Sequence, residues 1–164
     1  MATQSDMAKS THELLQQRGF AAEMPFMSRK TISTKVEQGK KYSVTLSQSL
    51  PSVIYQVDGS IIRSGEKCDR LILIQDSKSE EKEEWKQIFV EQKGTDVKHA
   101  IEQLIATIKQ PVFLHKSNIE RRACVVASNF PANTSDPKIE TLKQELSKLG
   151  VSYKQLKNGQ IDRI

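Results

Sequence analysis

The sequence predicts an α/β fold, a mixed central sheet flanked by helices. Three observations carry the prediction. Short β-rich apolar runs recur at 53–57, 71–74, 88–90 and 123–127, separated by turn signals. Between the third and fourth of these, Val97, Ala100, Ile101, Leu104, Ile105 and Ile108 repeat at helical spacing. That helix is a crossover, and crossovers join parallel neighbours, whereas the earlier strands are linked by hairpin-like connections.

Taken in order, Ser10 and Glu13 match a capping box ahead of Leu14 and Leu15, and Gly19 ends a short helix. Residues 20–41 mix apolar residues with a basic, hydroxyl-rich stretch, Ser28-Arg29-Lys30-Thr31, and fit either a helix or a surface loop. Residues 1–41 therefore read as a helical or looped N-terminal extension of one domain spanning 1–164. Tyr42, Val44 and Leu46 alternate as in a strand until Ser-rich positions 47–52 interrupt them. A first core strand covers about 53–63, with Asp58-Gly59 as a turn signal. Cys68 to Ile74 is the second, with an apolar run suited to a central strand covered on both faces. Residues 75–84 hold five acids and two lysines and read as a solvated hairpin loop. A third strand, centred on Ile88-Phe89-Val90, runs to Lys93, and Gly94 breaks it. Thr95 or Asp96 caps the crossover helix and Pro111 stops it. Arg121 to Ser128 is another buried strand. Asp136 and Pro137 open a last helix with an Ile139, Leu142, Leu146, Leu149 stripe ended by Gly150, and 151–156 suits a short strand before Asn158-Gly159.

Composition narrows the class of function. Lys and Arg outnumber Asp and Glu 25 to 20, a modest excess that favours polyanionic partners. Runs such as Leu71-Ile72-Leu73-Ile74 fall far short of the ~20 residues of a membrane helix, and the first residues lead into no apolar signal segment. Two cysteines and three histidines show no zinc spacing. The expected setting is cytoplasmic, with Cys68 and Cys124 as buried reduced thiols.

The chemistry concentrates at two strand ends. Asp69 lies on the second core strand and Glu91-Gln92-Lys93 close the third. Residues two apart on a strand share a face, so Glu91 and Lys93 project together, and pairing of the two strands brings Asp69 beside Glu91. Two carboxylates, with the Gln92 carbonyl, make a hard-oxygen site for Mg²⁺ or Mn²⁺. Such an ion polarises a phosphate oxygen and acidifies a bound water, and Lys93 would orient that water and offset developing charge. An acid two residues before a lysine occurs six times in the chain. Only Glu91/Lys93 ends an apolar strand, precedes a capped amphipathic helix and follows an aspartate on the preceding core strand.

At these residues the sequence resembles the PD-(D/E)XK nuclease superfamily, whose restriction endonuclease-like core is αβββαβ. The resemblance covers roughly 45–128 and rests on a short motif plus element order. It implies Asp69 and Glu91 as metal ligands, Lys93 as the catalytic lysine, Gln103 on the following helix as a residue used near the active site by RecB-like members, and an added acid that could be Glu13, Glu23 or Glu37. Cys68 stands where the family often has proline, and the polar Gln92 where it often has an apolar residue. The implied activity is metal-dependent endonucleolytic hydrolysis of DNA of restriction, junction or repair type, and the implied assembly a homodimer. Arg29, Lys30, Lys98, Arg121 and Arg122 are candidate contacts to the DNA backbone, with Lys35, Lys40 and Lys41 extending the same basic patch. Competing readings are a non-catalytic nucleic-acid-binding or partner module on the same fold, and an interaction protein using the acidic hairpin at 76–84.

Overall fold

A computed structural model of the chain describes residues 7–65, 67–79, 81–92, 96–130 and 136–164. Its elements are α1 (Thr11–Gln17), β1 (Met24–Ser33), β2 (Ser43–Gln56), β3 (Arg70–Lys78), β4 (Glu83–Gln92), α2 (Val97–Ile108), β5 (Asn118–Ala127), α3 (Pro137–Lys148), β6 (Val151–Lys157) and β7 (Asp162–Arg163). They form an α/β fold around a mixed seven-stranded sheet with path β1-β2-β3-β4-β5-β6, and β7 adds to β2. The pairs β1/β2, β2/β3 and β3/β4 are antiparallel, and β7 runs parallel to β2. After the α2 crossover, β5 runs parallel to β4, and β6 runs parallel to β5 after α3.

Local chemistry explains the helix ends. The Ser10 hydroxyl accepts the Glu13 N–H at 3.1 Å, while the Glu13 carboxylate accepts from Lys9 N–H, one residue earlier than a reciprocal capping box requires. Asp96 caps α2 through the His99 N–H, and Asp136 caps α3 through the Lys138 N–H, with Pro137 at the first helical position. Helix α2 buries Val97, Ala100, Ile101, Leu104, Ile105 and Ile108, the stripe its sequence spacing marks.

Strand alternation divides the interior in two. Odd-numbered residues of β2 to β5, among them Val53, Tyr55, Leu71, Leu73, Phe89 and Val125, pack with Leu15 of α1, the α2 stripe and Leu146 of α3. Even-numbered residues, including Ile54, Ile72, Ile74, Ile88, Val90 and Cys124, pack instead with Ile32, Tyr42, Val44 and Leu46. All three helices thus lie on one face. The other face, for which the sequence suggested helices as well, is closed by β1 and the first half of β2 curling over it. The Ser-rich stretch does not interrupt β2, whose early part pairs β7 at Val44 and Thr45 and whose later part pairs β3.

Two other expectations are corrected. Residues 24–33, read as helix or loop, form the edge strand β1, exposed at most positions and held by its ladder to β2. The strand expected to reach residue 63 ends at Gln56 and turns at Gly59 (φ 78°), with Ile62 N–H donating back to Val57 O at 3.0 Å. The acidic segment is a hairpin whose ladder persists to Lys78 opposite Glu83.

Candidate active site

The site lies where β3 begins and β4 ends. Arg70 pairs with Val90 and Leu71 with Phe89. One step further along that register, Asp69 comes opposite Glu91, and both residues take the helix-side parity. Asp69 Oδ2 accepts the Gln92 backbone N–H at 2.8 Å, and Glu91 lies near enough to act on the Asp69 carboxyl. Glu91 is buried and Asp69 half-buried. Burial pushes Asp69 above its ordinary carboxylate range, the Glu91 and Gln92 hydrogen bonds oppose that rise, Glu37 adds to it and Arg70 offsets it.

Does this donor set suit a divalent ion? Among the described residues, no three or more His, Cys, Asp or Glu side chains are grouped to hold a metal. Two neighbouring carboxyls are nonetheless a hard-oxygen set that can take up a cation. Mg²⁺ commonly takes one or two carboxylates and completes its shell with water and phosphate oxygens, so the pair fits that ion class. The Gln92 carbonyl belongs to the same strand end. Lys93, the predicted catalytic lysine, lies outside the described residues.

Arg70 makes the neighbourhood electrostatically stable. It is buried on the opposite face from Asp69, donating Nε–H to Glu23 at 2.8 Å and Nη2–H to Glu37 at 2.7 Å. Two of the upstream acids therefore converge beside the site, while Glu13 sits at the start of α1 and accepts from Lys9 N–H and Gln17. A charged residue directly before the apolar run 71–74 was the signal for Arg70, and sequence reasoning passed over it.

Gln103 is half-buried on α2, and its Oε1 is buried without a hydrogen-bond partner among the described residues. Its carbonyl accepts the Thr107 hydroxyl, which in turn accepts the Cys68 N–H at 2.8 Å, tying this turn of α2 to the residue before Asp69.

The five candidate DNA contacts are placed differently from one another. Arg29 donates to Pro25 O and to Ser52 O, bracing β1 against β2. Arg121 is half-buried on the helix side, donating to Gln87 at 2.7 Å and Ile108 O at 3.0 Å and lying over the Phe89 ring. Both guanidinium groups are occupied within the fold. Arg122 pairs with Glu120 at 3.1 Å, Lys98 approaches Glu102 at 4.0 Å, and Lys30 is exposed.

Two polar clusters had no signal in the linear pattern. His12 Nδ1 meets the Tyr55 hydroxyl at 2.8 Å among Phe26 and Trp85. On the other face, the fully buried Asp162 accepts from Tyr42 Oη at 2.7 Å and Lys154 Nζ at 2.5 Å, with Cys124 Sγ at 3.9 Å. Each joins residues more than forty apart in sequence or from separate strands, which no local spacing reveals.

No family model matches the chain, and no curated protein or solved structure matches it. No helix among the described residues is long and apolar enough to cross a membrane.

Proposed function

We propose that this chain is a divalent-metal-dependent deoxyribonuclease of the PD-(D/E)XK type, hydrolysing phosphodiester bonds in DNA of restriction, junction or repair type. The observation that carries the reading is the placement of Asp69 opposite Glu91 at the ends of adjacent antiparallel strands, directly ahead of the crossover helix and its parallel strand.

Asp69, Glu91 and the Gln92 carbonyl would hold Mg²⁺ or Mn²⁺. When bound, the ion supplies Lewis acidity toward a phosphate oxygen and lowers the pKa of a coordinated water. The chain supplies orientation and charge. Gln92 N–H fixes the Asp69 carboxyl through its Oδ2. Lys93 is assigned to orient the attacking water and offset charge on the phosphate as the water oxygen bonds to phosphorus and the P–O bond to the leaving group breaks. Gln103 is assigned a positioning role from α2. A homodimer with one site per DNA strand, in a reducing cytoplasmic setting, completes the proposal, and the two free buried thiols suit that setting.

The test is nicking of supercoiled plasmid with Mg²⁺ or Mn²⁺. The intact chain should cut, and Asp69→Ala and Lys93→Ala should each lower the rate by about 10²-fold or more. Undiminished cutting by both variants would remove the site.

One observation favours a second reading, a non-catalytic nucleic-acid-binding or partner module. Glu91 is only 2% exposed, so the carboxyl pair could serve as a structural tie between strand ends. Under that reading no divalent ion binds at Asp69 and Glu91.

A further inference from the structure

The residues that directly follow the two site carboxyls, Arg70 and Gln92, both reach to the opposite face of the sheet, and both grasp the same surface loop. The loop is the tip of the β1–β2 hairpin, residues 34–42. Arg70 holds the Glu37 carboxylate, and the fully buried Gln92 donates its side-chain amide to Lys35 O at 3.0 Å and Lys40 O at 2.6 Å. A third hold comes from Asn158, which accepts Lys41 N–H and donates to Gly39 O, both at 3.1 Å.

The tip does not need these holds to form its turn. Glu37 and Lys40 exchange both backbone hydrogen bonds at 2.8 Å around Gln38 (φ 50°) and Gly39 (φ 73°), the left-handed pair that a two-residue hairpin turn requires. Burying a glutamine amide with its Oε1 left without a partner among the described residues is costly. What the arrangement gains is registration of the tip against the ends of β3 and β4.

Charge says what the tip is for. Its one acid, Glu37, is held by Arg70, which it shares with Glu23. Lys35 and Lys41 are exposed, and their ammonium groups have no hydrogen bond or ion pair among the described residues. Arg29 and Arg121, the arginines expected to meet DNA, are occupied internally. We propose that the 34–42 hairpin tip is a backbone-gripping arm, binding duplex DNA phosphates through Lys35 and Lys41 in a register to Asp69 and Glu91 that Arg70 and Gln92 set. This rests on the DNA reading above and extends it to a specific surface.

The experiment measures duplex binding by fluorescence anisotropy in EDTA, where cleavage plays no part, over a series of salt concentrations. Lys35→Ala/Lys41→Ala is compared with Lys116→Ala/Lys148→Ala, which removes two exposed lysines from the opposite strand ends. The tip variant should flatten the plot of log affinity against log salt by about 1.8, the value for two phosphate contacts at about 0.9 each, and the control pair should not. Equal slopes for the two variants, with the intact chain still binding, would overturn the arm and leave the nuclease reading standing. Absence of duplex binding by the intact chain would overturn both the arm and its DNA substrate.

Discussion

Asp69 stands one register step beyond the Arg70–Val90 pair, and there it comes opposite Glu91. Two acids placed directly across a ladder ordinarily repel one another. Here the Gln92 N–H bonded to Asp69 and the neighbouring Arg70 moderate the cost. A scaffold selected only for stability has no use for this pair, because an isosteric amide would hold the same strand ends without buried charge.

That argument predicts that Asp69→Asn stabilises the protein while removing the proposed activity. Burial raises the Asp69 pKa, so the folded state binds its proton more tightly than the unfolded chain. The resulting penalty is absent below the unfolded value of about 3.9, grows as pH rises to the native value and persists above it. Urea unfolding at pH 7 should show a gain on the order of 0.5–1 kcal/mol, vanishing below about pH 4. A lower midpoint for the variant at pH 7 would contradict it.

Arg70→Met should be strongly destabilising. It strands Glu23, whose side chain is 5% exposed, and breaking one partner of such a pair costs about 3–5 kcal/mol. Adding Glu23→Gln should recover a large share. If the single and double variants unfold at the same urea concentration, the Arg70–Glu23 pair is not the source of the loss.

Asp162 should make the protein acid-labile. Burial alone would raise its carboxyl, but hydrogen bonds from Lys154, Tyr42 and the Arg163 N–H outweigh that and hold it below the usual range. The stability it contributes is complete above the unfolded value of about 3.9 and is lost as pH falls through the depressed native value. Tyr42→Phe removes the 2.7 Å donor and should cost about 1–3 kcal/mol at pH 7. Thermal melts from pH 7 to pH 3 should show a steeper decline for the parent than for Asp162→Asn.

His12 gives a second acid-sensitive element at milder pH. Burial lowers its pKa from 6.5 despite opposing fields from Glu83 and Glu13. The unfolded chain therefore takes up the proton first, and stability should fall as pH drops below about 6.5 until the native value is reached. His12→Gln should flatten that part of the profile. An unchanged slope would assign it elsewhere.

The sheet's centre was legible because its strands are nearly continuous apolar runs and α2 carries an unbroken stripe. Once β3 and β4 are paired, the approach of Asp69 to Glu91 follows from alternation alone. β1 was not legible, since an edge strand exposed along Pro25 to Ser28 is stabilised by backbone pairing rather than burial. The placement of the described helices on one face was also hidden, because Ile32, Tyr42, Val44 and Leu46 cover the second face only through packing against strands distant in sequence. Arg29 and Arg121 read as free cations because Ser52 O, the Gln87 amide and Ile108 O, which hold them, lie on other elements.

The most direct measurement of the central claim is calorimetric titration of Mn²⁺ into the intact chain and into Glu91→Gln, in two buffers of different ionisation enthalpy. The account predicts binding to the parent with proton release, and loss of that binding in the variant. Absence of Mn²⁺ binding to the parent, or equal binding by parent and variant, would contradict it.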